Sequence, residues 1–305
     1  MAPLRGIVLI LLAVSMFTVM GSLIKAADRI PVGEAVFFRA FFAMPVIVIW
    51  LMARGEMASG LRTTSWRNHA VRGIVGTCAM GLGFLGLKLL PLPEVTAIRF
   101  ATPIFIVIFA VVLLGERVRL IRMSAVAVGL AGVLIVMWPR LGAGFGGGNL
   151  ALLGACVTLG SAALAALAQV FVKAMTGTER TTAIVFYFSA TASSLSLLTI
   201  PFGWVRPVGV EWVFLVGAGI VGALGQILLT ASFRHADAGL LAPFTYVSMI
   251  WALIIGYFIF DEVPTVPMLA GAALVIAAGV AIVLRERQIG KRTATEGKMR
   301  NLLKE

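Results

Sequence analysis

Apolar residues occur along this chain in long blocks, with neither the period-two alternation of a half-buried strand nor the one-sided stripe of a soluble helix. Ten blocks stand out, at about 5–25, 34–53, 69–90, 94–114, 121–138, 149–172, 181–203, 210–233, 238–260 and 265–284. A helix rises about 1.5 Å per residue and the hydrocarbon core of a bilayer is about 30 Å thick, so about 20 apolar residues are enough to cross it. The pattern predicts an all-α integral membrane protein of ten transmembrane helices. The longest connections are 54–68 and a basic tail after Leu284, which leaves no room for a separate soluble domain.

Composition agrees with this reading. Apolar residues make up 60% of the chain and charged residues 12%, with a mean hydropathy of +1.04; an ordinary soluble domain carries about 25% charged residues. Arg5 precedes the first block, but that block exceeds the 7–15-residue core of a secretory signal and is expected to be retained as a span. Cys78 and Cys156 fall inside blocks three and six, where small apolar packing is the default and no metal site or disulfide is expected.

Charge changes the picture through its placement. The net charge is +12. With the N-terminus cytoplasmic, the inner loops and tails hold Arg5, Arg54, Arg62, Arg67, Arg72, Arg117, Arg119, Arg122, Lys173, Arg180, Arg234 and seven basic residues from Arg285 to Lys304. Only Lys25, Arg29, Lys88, Arg140 and Arg206 fall outside. The positive-inside rule therefore predicts both termini in the cytoplasm and an even number of spans. Basic surface here means topology and anionic lipid headgroups, with no nucleic-acid partner.

The two halves repeat. LLGERVRLIR (113–122) has a counterpart in FIFDEVPTVP (258–267), and an offset near 147 also aligns Leu23-Ile24-Lys25 with Phe171-Val172-Lys173, Gly76 with Gly222, and Gly132-Val133 with Gly279-Val280. Five is odd, so the second five-span unit must enter the membrane in the opposite sense. The Glu116 loop then faces inside and the Glu262 loop outside, which accounts for the arginines present in one copy and missing from the other. The expected organisation is a first repeat over 1–140, a Gly-rich linker at 141–148, an inverted second repeat over 149–284 and the basic tail 285–305. The linker sequence LGAGFGGGN lacks the lysine of a phosphate-binding loop.

Two five-helix halves, each with an apolar helix, a (Gly/Asp)-Glu turn and a Gly-rich last helix ending in Gly-Val, resemble the EamA-type members of the drug/metabolite transporter superfamily. The resemblance spans about residues 5–284 and is nearest to bacterial exporters of amino acids, including aromatic ones. It implies a ten-helix basket in the inner membrane, a central cavity between the halves, and alternating access.

Against that background, particular residues become candidates. Pro45, Pro103 and Pro243 lie within spans; Pro103 frees the carbonyl of Arg99 and Pro243 that of Gly239, so helices four and nine are expected to kink. Pro103 and Pro243 are therefore candidates for conformational gating. Arg39 lies five residues past Glu34 and Arg99 five past Glu94. A charge in the bilayer needs an interior partner, water, or a route to the headgroups. Arg39 thus reads either as a snorkelling side chain or as part of a gate, and Arg99 either as snorkelling or as a substrate carboxylate ligand. The matching positions in the second half are Tyr187 and Thr245.

Gln169 and Gln226 are amides at depth, aligned with Gly21 and Met80, and serve either as helix glue or as ligand contacts. With Thr18, Met80, Phe100, Thr102, Tyr187, Tyr246, Ser248, Met249 and Trp251 they make an aromatic, sulfur-rich and sparsely polar centre suited to an amphipathic solute. Small-residue rows such as Gly73, Thr77 and Gly81 read as packing within a monomer.

All 13 acidic residues lie at span ends, loops or the tail. A buried carboxylate relay of the kind common in proton-coupled carriers is thus missing, which favours a uniporter or exchanger. The expected partners are a small-molecule substrate and membrane lipids, with no cofactor or metal. An enzyme would need paired acids, a histidine metal motif or a Ser/His dyad, none of which stands at useful spacing. Multidrug or other metabolite efflux on the same fold, and a structural membrane protein, remain the competing readings.

Overall fold

The computed structural model describes residues 2–102, 104–106, 108–109, 127–129, 131–136, 138, 150–236, 241–277 and 280; among them there are helices and turns and no strand. In chain order the helices are α1 (Ala2–Ala26), α2 (Val32–Phe41), α3 (Ala43–Ala53), α4 (Met57–Gly60), α5 (Trp66–Leu89) and α6 (Leu92–Arg99). After them come α7 (Ala127–Val136), α8 (Leu150–Met175), α9 (Thr181–Leu197), α10 (Val210–His235), α11 (Val247–Phe260) and α12 (Val266–Ala277). Among the described residues five stretches are long and apolar enough to cross a membrane: Leu4–Ala26, Val32–Ala53, Trp66–Leu89, Leu150–Met175 and Glu211–His235. The linker 141–148, the tail 285–305, Glu116 and Pro103 lie outside the described residues, as does much of blocks four and five.

Several blocks expected to be continuous are interrupted, and proline explains where. α2 ends at Phe41, four residues before Pro45, and α6 ends at Arg99, four residues before Pro103. In each case the last helical residue owns the carbonyl that the proline nitrogen cannot satisfy. Block nine opens as a 3₁₀ turn over Ala242–Tyr246 before α11 begins, and block seven closes with the 3₁₀ turn Ile200–Phe202. α2 and α6 also start alike, with proline at the N-cap and Glu34 or Glu94 at the third helical position, where a carboxylate favours the positive end of the helix dipole.

Helix pairing follows the proposed offset. α1 lies along α10 and α5 along α8; α2 packs on α10 and α9 on α5; α1 meets α11 and α8 meets α6; α2 faces α9 and α6 faces α11. Between α7 and α12 the backbones themselves touch: a Cβ on Gly132 would stand 2.8 Å from the Gly271 carbonyl oxygen, and one on Gly271 would stand 2.5 Å from that of Gly132. Only glycine permits that approach.

Each end of the bundle is tied by polar contacts. At one end Lys25 bonds Glu262 at 2.9 Å, Arg29 bonds Glu211 at 2.8 Å, and the Val205 amide donates to Glu34 at 2.9 Å. Asp261 precedes Glu262 and caps α11 with φ of 52°, a left-handed conformation open to glycine and, at small cost, to aspartate. This is the physical content of the (Gly/Asp)-Glu turn. At the other end Glu179 Oε1 accepts from the Thr64 amide and hydroxyl, both at 2.7 Å, from the Thr63 hydroxyl at 3.0 Å and from the Ser65 amide at 3.2 Å. It thereby caps the start of α5 with a carboxylate from another segment. Burial opposes ionisation of Glu179, but these donors outweigh it and hold the carboxyl at about 2.

Cys78 and Cys156 are exposed on the bundle surface instead of packed within it. A thiol is apolar enough to face lipid.

Candidate functional site

The breaks in blocks four and nine bring the two halves together. Phe100 follows the last residue of α6, Tyr246 precedes the first residue of α11, and their rings meet edge to face with centroids 4.9 Å apart. The two positions are related by the repeat offset. Both rings are buried in an apolar cluster that includes Met249, with Met80 of α5 packed against it. Met80 also touches a neighbouring cluster of Ala40, Phe188 and Ala192. Four of the residues expected in the centre, Met80, Phe100, Tyr246 and Met249, therefore share one core.

Arg99 stands beside this contact. Its neighbours Ala97, Ile98, Phe100 and Ala101 are buried, while Arg99 is exposed. The carbonyl of Arg99, which the proline four residues on cannot satisfy, accepts the Thr102 hydroxyl at 2.7 Å. Thr102 is thereby occupied in repairing the break. Ser248 does similar work at the start of α11, donating to the Thr245 carbonyl at 2.7 Å.

The other expected residues are distributed differently. Thr18 is buried on α1, with its hydroxyl turned back to the Val14 carbonyl at 2.9 Å. Gln226 is buried on α10 and Gln169 half-buried on α8, and neither amide has a partner among the described residues. Pro243 sits in the 3₁₀ turn that opens block nine.

Two expectations need correcting. Trp251, expected near the centre, is 41% exposed on α11; it follows the buried Met249 by two residues, which in a helix turns it some 200° away. Tyr187 belongs to the Glu179 end of the bundle. Its hydroxyl donates to the Leu61 carbonyl at 2.9 Å, and its ring lies 4.7 Å from both Trp66 and His69. The repeat offset matched it to Arg39, but local partners from α5 and the preceding loop captured the ring.

The arginines produce the clearest departure from sequence reading. Arg39 does not snorkel: it is 2% exposed and donates from Nη2 to the Gly222 carbonyl at 3.3 Å. Arg72, counted among the inner-loop charges, lies within α5 and is 4% exposed. Both guanidinium groups lie over the ring of Phe188, at 5.5 and 3.7 Å from its centroid. The signal that could have revealed Arg72 was its place inside block three, a turn past His69.

The model of the EamA-like transporter family matches residues 4–138 and again 152–285. The pseudopaline exporter CntI of Pseudomonas aeruginosa (strain UCBPP-PA14) is 30% identical, over 91% of this chain and 95% of its own length. The S-adenosylmethionine uptake transporter of Rickettsia prowazekii (strain Madrid E) is 28% identical, over 84% of each chain. One crystal structure superposes with a TM-score of 0.67 at 23% identity, covering 93% of this chain and 98% of the other, which supports the fold alone. Two copies of one family model, laid end to end over helices that pack in corresponding pairs, leave a single reading: the chain is a membrane transporter and belongs to the EamA-like transporter family, part of the drug/metabolite transporter superfamily.

Proposed function

We propose that the chain is an alternating-access carrier for a small amphipathic metabolite, foremost an amino acid with an aromatic or apolar side chain, and that it acts as an exporter running by uniport or exchange. In this reading ten helices cross the inner membrane as two inverted halves, 1–140 and 149–284, with both termini cytoplasmic, and a monomer is the working unit. The twofold family match and the corresponding helix pairs support the duplication.

The observation that carries the substrate reading is the accessible Arg99 at the end of α6, beside the Phe100–Tyr246 contact. A guanidinium is the natural partner of a carboxylate. Phe100, Tyr246, Met249 and Met80 offer an apolar, polarisable wall to the rest of the solute. Thr18, Gln169, Gln226, Ser248 and Thr102 supply the sparse polar groups. Breaks at the proline positions give each half a point about which a gate bends.

The relatives favour a second reading of the same site, in which the solute is another metabolite: one relative is an exporter of pseudopaline and another takes up S-adenosylmethionine. They also run in opposite directions, as expected of a cycle whose direction follows gradients. Counterflow in proteoliposomes tests both. Vesicles are loaded with one unlabelled solute at a time and uptake of labelled phenylalanine, tryptophan, methionine or threonine is followed without an ion gradient. Transient accumulation driven by the internal amino acid supports the first reading. Accumulation only with other metabolites supports the second, and none at all with folded protein removes uniport and exchange.

A further inference from the structure

Phe188 of α9 carries two cations. The guanidinium carbons of Arg39 and Arg72 lie 5.5 and 3.7 Å from its ring centroid. Both side chains are buried, and Nε and Nη1 of each have no hydrogen-bond partner among the described residues. The two guanidinium groups share one ring and carry like charge, so they repel across a medium of low dielectric. The nearby carboxylates are already engaged. Glu34, on the same helix as Arg39, accepts from the Val205 amide, and Glu179, on the turn leading into α9, accepts from Thr63, Thr64 and Ser65 through Oε1, while its Oε2 faces His69 Nε2 at 3.5 Å. One ring face cannot compensate two desolvated guanidinium groups and four orphaned donors. Among the described residues no carboxylate pairs with either guanidinium, and the charge missing there is negative.

We propose that Arg39 and Arg72, converging over Phe188 between α2, α5 and α9, form a binding site for one small anion, a halide or a single carboxylate group. The donors are planar and forked, the arrangement that suits such an anion. Size is limited by close walls: a Cβ at Gly76 would stand 2.6 Å from Arg72 Nη1 and 2.9 Å from Phe188 Cε2. The site is separate from Arg99 and stands whatever solute the carrier moves. It does connect to the central cluster, because Met80 packs against both that cluster and Phe188. An anion bound at Arg39 and Arg72 therefore stiffens the junction of α2, α5 and α9, the helices through which the two halves meet.

The test uses the purified full-length protein in detergent. Its thermal midpoint is read from tryptophan fluorescence in sodium chloride, bromide, acetate or gluconate at equal ionic strength. The expected result is a saturable rise of about 3 °C over gluconate with the small anions, abolished in Arg72→Gln and in Arg39→Gln. A rise with chloride and bromide identifies a free inorganic anion as the occupant; a rise with acetate alone identifies the carboxylate of an organic solute. Should the glutamine variants fail to fold, crystals of the unaltered protein grown in bromide decide the matter, through an anomalous peak at the two guanidinium groups. Equal midpoints in all four salts, with no anomalous peak after soaking in bromide, overturn the proposal.

Discussion

Lys25 and Lys88 cap each other's helices. Lys25, in the last turn of α1, donates to the carbonyls of Leu87 and Leu90 at the end of α5, at 3.2 and 2.8 Å. Lys88, near the end of α5, donates to the carbonyls of Ala27 and Asp28 just past α1, at 3.0 and 2.7 Å. Each ammonium neutralises orphan carbonyls at the negative end of the neighbouring dipole. Lys25 adds the bond to Glu262, whose other oxygen accepts the Leu92 amide at 2.8 Å and so caps α6. One lysine and one glutamate thus join the ends of four helices.

Removing that bond is expected to be felt throughout this end. Lys25→Met strips the end of α5 of its donor and leaves Glu262 half-paired, a loss of about 1.5–3 kcal/mol per charge-assisted bond. A double-mutant cycle with Glu262→Gln should give a coupling of about 0.5–3 kcal/mol, measured by thermal or denaturant unfolding in detergent. Strict additivity would show that the pair contributes nothing to stability.

Arg99→Ala is expected to lower transport about ten- to a hundredfold, the equivalent of one charge-assisted bond, while the thermal midpoint stays near that of the unaltered protein. Proteoliposome flux and fluorescence melting measure the two separately. Undiminished flux would remove Arg99 from the substrate site.

Thr102→Val keeps the volume of the side chain and deletes the hydroxyl that satisfies the Arg99 carbonyl. The expected cost is about 0.5–1.5 kcal/mol, the net value of one hydrogen bond. Thr102→Ser should restore most of it, and a melting series over the three proteins checks the order.

Glu179 predicts a pH dependence. Its folded-state carboxyl is held at about 2, below the ordinary glutamate value of about 4.3, so the deprotonated form is the one folding favours. The stabilisation is fully present above about pH 4.3 and is lost as pH falls towards 2. The stability gap between the unaltered protein and Glu179→Gln should therefore be constant from neutral pH to about pH 5 and narrow below about pH 4.3. A gap that widened on acidification would contradict the assignment.

Gly271→Ala places a methyl group against the backbone of α7, 2.5 Å from the Gly132 carbonyl oxygen and 2.9 Å from the Val136 nitrogen. No rotamer change relieves a clash with backbone, so the loss should reach at least about 1–3 kcal/mol. Unfolding of the variant in detergent measures it.

Sequence alone determined the class and much of the grammar of this protein. Blocks of apolar residues gave the membrane class, Pro103 marked the carbonyl of Arg99, where α6 ends, by removing one amide, and Phe100 and Tyr246, both expected in the centre, meet ring to ring. Only the tertiary structure decided which side chains face one another: the convergence of Arg39 and Arg72 on Phe188, the removal of Tyr187 and Trp251 from the centre, and the reciprocal lysine caps. The reason is the solvent. A helix in water announces its buried face through an apolar stripe, whereas a helix in lipid is apolar all round and carries no such phase. Depth along the helix can then be read from residue number, but rotation about its axis is set by the neighbours it packs against.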